Sequence, residues 1–159
     1  MMANAAWQSV HAEETDASPD FAWRYWSNVA NWDDPPAQFE LDGPFAVGAR
    51  GLTRIPGQES IRWIIREVTP GEAATIEILL DGAALAIEWK FAGLAERRTR
   101  LTQRVVLRGE KADAYLEHAK MFTANMPNGM RKIAAAIANA AAKPSLRVTN
   151  NNPISADRD

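Results

Sequence analysis

The sequence contains no cysteine. That excludes a disulfide framework, a thiol nucleophile and a thiolate metal site. Histidine is nearly as scarce: the two, His11 and His118, lie far apart and the acids are scattered, so no metal is expected. There is no Gly-x-Ser-x-Gly elbow, no phosphate-cradling glycine loop and no dinucleotide fingerprint, and no cofactor is expected. Neither sign of charge dominates. A formal net charge of −2 does not suit a domain that works on the phosphate backbone, so no nucleic-acid partner is expected. Long hydrophobic runs are missing too. The alanine-rich stretch 133–142 is too short and too weakly apolar to span a bilayer, which argues against stable membrane insertion. The first residues, Met-Met-Ala-Asn-Ala-Ala-Trp, lack the basic-then-apolar order of a secretory signal, and a cytoplasmic location is expected.

What is abundant is tryptophan, six in 159 residues. Trp23, Tyr25, Trp26 and Trp32 fall within the single stretch 18–34. Such a group can be core filler, a stacking platform for sugars or bases, or the wall of an internal pocket. A platform wants exposed aromatics among basic or amide groups, whereas Asp33, Asp34, Pro35 and Pro36 are acidic or rigid. Core plus pocket is the reading adopted. The length is that of one domain with one substantial core. A single domain over 1–143 is expected, followed by a flexible tail at 144–159, where asparagines replace large apolar groups.

Along the chain, residues 7–15 read as a strand. Ser18-Pro19-Asp20 then opens a helix: a capping hydroxyl, proline in the first turn, an acid at the positive dipole end. The helix is expected to reach about Ala30, before Asp33-Asp34-Pro35-Pro36 forbids continuation. Apolar runs near 38–41, 49–54, 60–69, 74–80, 84–92 and 99–107 alternate with turn signals such as Asp42-Gly43-Pro44, Pro56-Gly57, Pro70-Gly71 and Asp81-Gly82. Connections this short demand antiparallel neighbours. Tyr115, Ala119, Phe122, Met126, Met130, Ile133, Ile137 and Ala140 follow 3- and 4-residue steps, one helical stripe. Pro127 and Gly129 predict a kink or break within 125–129. The fold class is α+β, a curved antiparallel sheet of about seven strands wrapped around a long C-terminal helix, with a short helical region after the first strand.

The segments Ala17-Ser-Pro-Asp with Trp23, Trp26-Ser-Asn-Val-Ala-Asn-Trp32, Leu41-Asp-Gly-Pro-Phe-Ala-Val-Gly48, Glu67-Val-Thr-Pro-Gly71 and Thr99-Arg-Leu-Thr-Gln-Arg-Val105, in this order, resemble the START-like (SRPBCC) superfamily. Within it the chain is most similar to bacterial polyketide cyclase/dehydrase-like proteins, over roughly 7–142. The resemblance implies a helix-grip fold whose internal cavity takes a hydrophobic or amphipathic small molecule. It implies no single reaction, since members include lipid carriers, hormone receptors, aromatases and cyclases, and fold does not transfer function. One departure is that relatives commonly read Thr-His-Arg where this chain has Thr102-Gln103-Arg104.

Strand alternation assigns faces. Ile61, Trp63 and Ile65 share one side of their strand, as do Leu85, Ile87, Trp89 and Phe91. Leu101, Gln103, Val105 and Leu107 form a third such set, with Gln103 its lone polar member. A buried amide needs partners, so Gln103 is either a structural hydrogen bond or a ligand contact. In the first strand, alignment by the resemblance turns Trp7, Ser9, His11, Glu13 and Thr15 inward. His11 is then a candidate general acid or base, with Glu13 to orient it. His118 reads as a surface residue, and Arg62 and Arg66 as outward. Arg54, near a hairpin end, is a weak candidate to hold a carboxylate at the pocket mouth. The expected ligand contacts are Trp32, which the resemblance puts beside the entrance, with Trp63, Trp89, Gln103, Phe122, Met126 and Met130. The leading expectation is binding of a small hydrophobic or amphipathic ligand, lipid-like or aromatic polyketide-like. The alternative is a cyclase, aromatase or dehydratase using His11. A surface-based interaction protein is a third reading. The expected partner is a small hydrophobic molecule, and a homodimer is allowed.

Overall fold

Alternating side chains along each strand turn one apolar face inward, and antiparallel pairing carries that face across the molecule. The computed structural model describes residues 6–143, so the tail expected at 144–159 lies outside the described residues. Strands β1 (Trp7–Thr15), β2 (Gln38–Leu41), β3 (Arg50–Arg54), β4 (Ile61–Thr69), β5 (Ala73–Leu80), β6 (Ala83–Ala95) and β7 (Arg98–Arg108) form one sheet. Its order is β1-β7-β6-β5-β4-β3-β2, and every neighbouring pair is antiparallel. Helix α1 (Pro19–Trp26) follows β1, while α2 (Leu116–Ala124) and α3 (Met126–Ala141) end the described chain. This is the expected helix-grip arrangement.

Directly opposed residues continue the inner face from strand to strand. One row runs Trp7, Leu107, Leu85, Ile78, Trp63, and the next Ser9, Val105, Ile87, Ile76, Ile65. A third runs His11, Gln103, Trp89, Ala74. Ile65, Leu101, Val105 and Leu107 are fully buried, each contributing on the order of 2 kcal/mol of hydrophobic stabilisation. Helix α3 packs on β1 and α1, and α1 packs on β6 and β7. Two buried threonines tie these layers together. Thr15 Oγ1 donates to the Ala134 carbonyl at 2.7 Å, and Thr99 Oγ1 to the Ala17 carbonyl at 2.8 Å.

Two expectations are corrected. Helix α1 ends at Trp26 rather than near Ala30. Ser27 is its C-cap, and the Asn28 side chain accepts from the Ala30 N–H, starting a separate 3-10 turn at Val29–Asn31. Short polar side chains here offer the backbone an alternative to the next helical turn. The C-terminal stripe is also rotated. The break falls at Asn125, between α2 and α3, with Pro127 in the first turn of α3, where its missing N–H costs nothing. Across that break the buried face is Ala119, Thr123, Met126, Met130, Ala134 and Ile137. Phe122 stands 44% exposed beside Met121, outside the core in which it was expected. Thr123 takes the inward place, its hydroxyl returned to the Ala119 carbonyl at 3.0 Å. No helix among the described residues is long and apolar enough to cross a membrane.

Candidate functional site

β1 is an edge strand whose inner face is covered by α3. Residues two apart share that face, which brings His11 Nε2 within 2.6 Å of Glu13 Oε2. The two are 27% and 22% exposed, so the pair sits at the rim of the core rather than in open solvent. Arg131 of α3 approaches the same carboxylate oxygen at 3.8 Å. With Glu13 ionised, the short contact requires the ring proton on Nε2, donated to the carboxylate. Nδ1 is then the free nitrogen, and it has no hydrogen-bond partner among the described residues.

Directly opposite His11, on β7, lies Gln103, and opposite Gln103, on β6, lies Trp89. Side chains so paired have Cβ atoms about 5 Å apart. Gln103 is 8% exposed, and its side-chain amide makes no hydrogen bond among the described residues. Leaving a buried polar group unserved costs about 1–3 kcal/mol, so this amide is an outlier in an otherwise apolar face. The indole N–H groups of the buried Trp23, Trp26 and Trp89 also find no acceptor among the described residues.

Five of the six tryptophans, Trp23, Trp26, Trp32, Trp63 and Trp89, form one connected group. Trp26 is its centre, with ring centroids 5.2 Å from Phe45 and Trp89, 5.3 Å from Phe91, 5.8 Å from Trp23 and 6.0 Å from Trp32. Trp32 continues it, stacked on Trp63 at 5.5 Å and edge-on to Phe39 at 5.5 Å. Two of the indoles are anchored: Trp32 Nε1 donates to the Trp26 carbonyl at 2.7 Å, and Trp63 Nε1 to Thr53 Oγ1 at 3.0 Å. Trp23 and Trp26 are therefore core, and Trp32 is a partly buried rim residue packed on them.

The structure thus places Trp63, Trp89, Gln103, Met126 and Met130 in the core, with Trp32, His11 and Glu13 at its margin. Phe122 is the one expected contact it sets apart. Arg131, Phe39 and Phe45 join the group without having been anticipated. Phe45 lies in the Leu41–Gly48 motif, whereas nothing short of the tertiary packing brings Arg131 over β1.

Two hollows formed by the described residues lie elsewhere. One is lined by Ala12, Glu13, Glu14, Arg98 and Arg100 at the β1–β7 edge, the other by residues around the turn between β3 and β4, including Arg54. An internal cavity between sheet and α3 is not among them. Their arginines are already engaged: Glu14, then Asp16, hold the Arg98 guanidinium above its usual pKa, and Glu40 does the same for Arg54. Arg54 meets Glu40 at 2.6 Å on the exposed surface, so it is not a carboxylate clamp at a pocket mouth. His118 is exposed, as expected.

The sequence profile described as "Polyketide cyclase / dehydrase and lipid transport" matches residues 7–138. No curated protein matches the chain significantly. Several solved structures share its fold. Norcoclaurine synthase from Thalictrum flavum, in complex with dopamine and hydroxybenzaldehyde, is 13% identical, with a TM-score of 0.67 over 87% of this chain and 88% of that one. The Zhui aromatase/cyclase from Streptomyces sp. R1128 is 17% identical, with a TM-score of 0.62 over 85% and 93%. A protein from Arthrobacter aurescens is 18% identical, with a TM-score of 0.65 over 87% and 91%.

Proposed function

Because the chain belongs to the polyketide cyclase / dehydrase and lipid transport family, we propose that it binds a small hydrophobic or amphipathic molecule, lipid-like or aromatic, between the inner face of the sheet and α3. The observation that carries this reading is the buried amide of Gln103, which nothing among the described residues serves, set in an apolar face between His11 and Trp89. A mostly apolar site with a few convergent polar groups is the usual character of small-molecule sites. The likeness to a synthase crystallised with two small aromatic compounds points the same way.

The interior is lined by aromatic rings and methionines, so accepting a guest requires side chains to move. Met126 and Met130, buried on α3, are suited to this. Their unbranched, polarisable side chains repack around irregular volumes without moving backbone. Trp32, held at the rim by one hydrogen bond, closes the aromatic end.

A second reading is an enzyme that moves protons, favoured by the 2.6 Å His11–Glu13 pair. With Nε2 fixed by Glu13, Nδ1 would take a proton from an acidic carbon or hydroxyl of a bound substrate, and the carboxylate would stabilise the resulting imidazolium. Binding precedes either outcome. Native mass spectrometry of freshly purified protein, with solvent extraction of any adduct, tests it. A stoichiometric small-molecule adduct supports the proposal. A bare mass that stays bare after incubation with fatty acids and polycyclic aromatics overturns it.

A further inference from the structure

We infer that Asn128 is a modification site: its side-chain amide is lost spontaneously, leaving aspartate or isoaspartate at the start of α3. The glycines point to it. Of the nine, six adopt positive φ. Gly51 and Gly93 answer to crowding, since an added Cβ would stand 2.2 Å from Trp63 and 2.9 Å from Pro19. Gly129 has neither reason. It lies in the first turn of α3 without positive φ, and an added Cβ would meet nothing within 4 Å. Glycine is also among the poorest helix formers. What a missing Cβ does serve at this point is chemistry at Asn128, and this is the single Asn-Gly in the sequence.

The reaction closes a ring. The Gly129 backbone nitrogen gives up its proton and attacks Asn128 Cγ. The new N–C bond forms, the Cγ–Nδ2 bond breaks, and the amide nitrogen leaves as ammonia with that proton. Water then opens the succinimide at either carbonyl, giving aspartate or isoaspartate. Glycine leaves the attacking nitrogen uncrowded. Arg131 Nη2 donates to Asn128 Oδ1, the atom on which negative charge develops during attack, and a donor so placed lowers the barrier. The restraint on the nitrogen is small. The Gly129 N–H donates to the Asn125 carbonyl at 3.0 Å, but Asn125 supplies no side-chain cap and Asn128 is exposed. The product carboxylate sits at the positive end of the helix dipole and on the Arg131 face of α3. It competes for the guanidinium that otherwise approaches Glu13 at 3.8 Å.

The test ages the full chain at neutral and mildly alkaline pH. Peptide mapping by mass spectrometry follows the mass gain at Asn128, and a synthetic peptide spanning 125–131 gives the unrestrained rate. The expected rate lies within roughly tenfold of the peptide's, the scale of one hydrogen bond, and rises in proportion to hydroxide. Gly129→Ala should slow conversion roughly tenfold or more, with an equal or higher melting temperature as the check that it is folded. Arg131→Met should slow conversion about threefold, the scale of an exposed charged donor, and Arg131→Lys should recover part of the loss. A merely structural Arg131 gives the opposite sign, because loosening the turn speeds attack. In Asn128→Asp, the 15N resonances of the His11 ring should shift as Arg131 leaves Glu13.

A rate further below the peptide's than that overturns the inference, as does undiminished conversion in Gly129→Ala. Faster conversion in Arg131→Met overturns the part given to Arg131, and an unmoved His11 in Asn128→Asp overturns the link to Glu13.

Discussion

The indole of Trp63 lies across the α-carbon of Gly51, its partner in the β3–β4 pairing, so closely that a Cβ added there would stand 2.2 Å from ring atom Cζ2. The ring has nowhere to retreat. It is stacked on Trp32 on one side and tied to Thr53 Oγ1 through Nε1. Gly51→Ala therefore forces Trp63 out of place, and the expected cost is about 3 kcal/mol, at the upper end for an overpacked core. At about 2–4 °C per kcal/mol for a domain of this size, thermal unfolding should fall by roughly 6–12 °C. Intrinsic tryptophan fluorescence should report the loss of the stack. An unchanged melting temperature would contradict the packing described.

Gln103 separates a structural role from a functional one. Were the amide a structural hydrogen bond, removing it would destabilise the fold. Here nothing among the described residues serves it. Gln103→Met keeps the volume and removes the desolvated polar group, so the free protein should become more stable by about 1 kcal/mol. The melting temperature of freshly purified, ligand-free protein decides the sign. A loss of stability would make Gln103 a structural residue.

The C-terminal helices offer a paired prediction about which residues touch the core. Met126 is 6% exposed and Phe122 is 44% exposed. Phe122→Ser should change stability by less than about 0.5 kcal/mol, as surface substitutions do. Met126→Ala should cost about 2–4 kcal/mol, the range for truncating a buried side chain. Chemical denaturation of the two variants reads both. Were the helical stripe continuous, as the heptad-like spacing of the sequence suggests, both substitutions would be costly.

That contrast shows where sequence reasoning reached and where it stopped. The strands were legible because alternation and short turns are local properties, and β1, β2 and the inward placement of Gln103, Trp63 and Trp89 follow from them. The helix ends were not. Whether α1 continues past Trp26 depends on Ser27 and Asn28 capping rather than propagating, a balance of about 1 kcal/mol that spacing does not display. Phe122 was misplaced because periodicity assumes an unbroken axis, and the axis restarts after Asn125. The inward face of β1 came from family likeness, since polar residues occupy both of its faces. The Arg131 approach to Glu13 was beyond reach, because it exists only once α3 has folded across β1.

The aromatic interior leads to the last prediction. Trp26 touches the rings of Trp23, Trp32, Phe45, Trp89 and Phe91 and is 4% exposed. Removing its side chain deletes the hub of the cluster, and neighbouring rings held by the sheet and by α1 can close the gap only in part. Trp26→Ala should then cost about 3–5 kcal/mol and leave an apolar hole of indole shape. Dry, apolar holes of this kind accept matching small molecules, so added indole should raise the melting temperature of the variant in a concentration-dependent way. The wild-type chain, whose hole is filled by its own Trp26, should respond much less at that site. Comparing the two melting curves across an indole series measures whether the tryptophans fill the interior or merely line it. A wild-type response as large as that of the variant would mean that room for an aromatic guest exists beside Trp26 already.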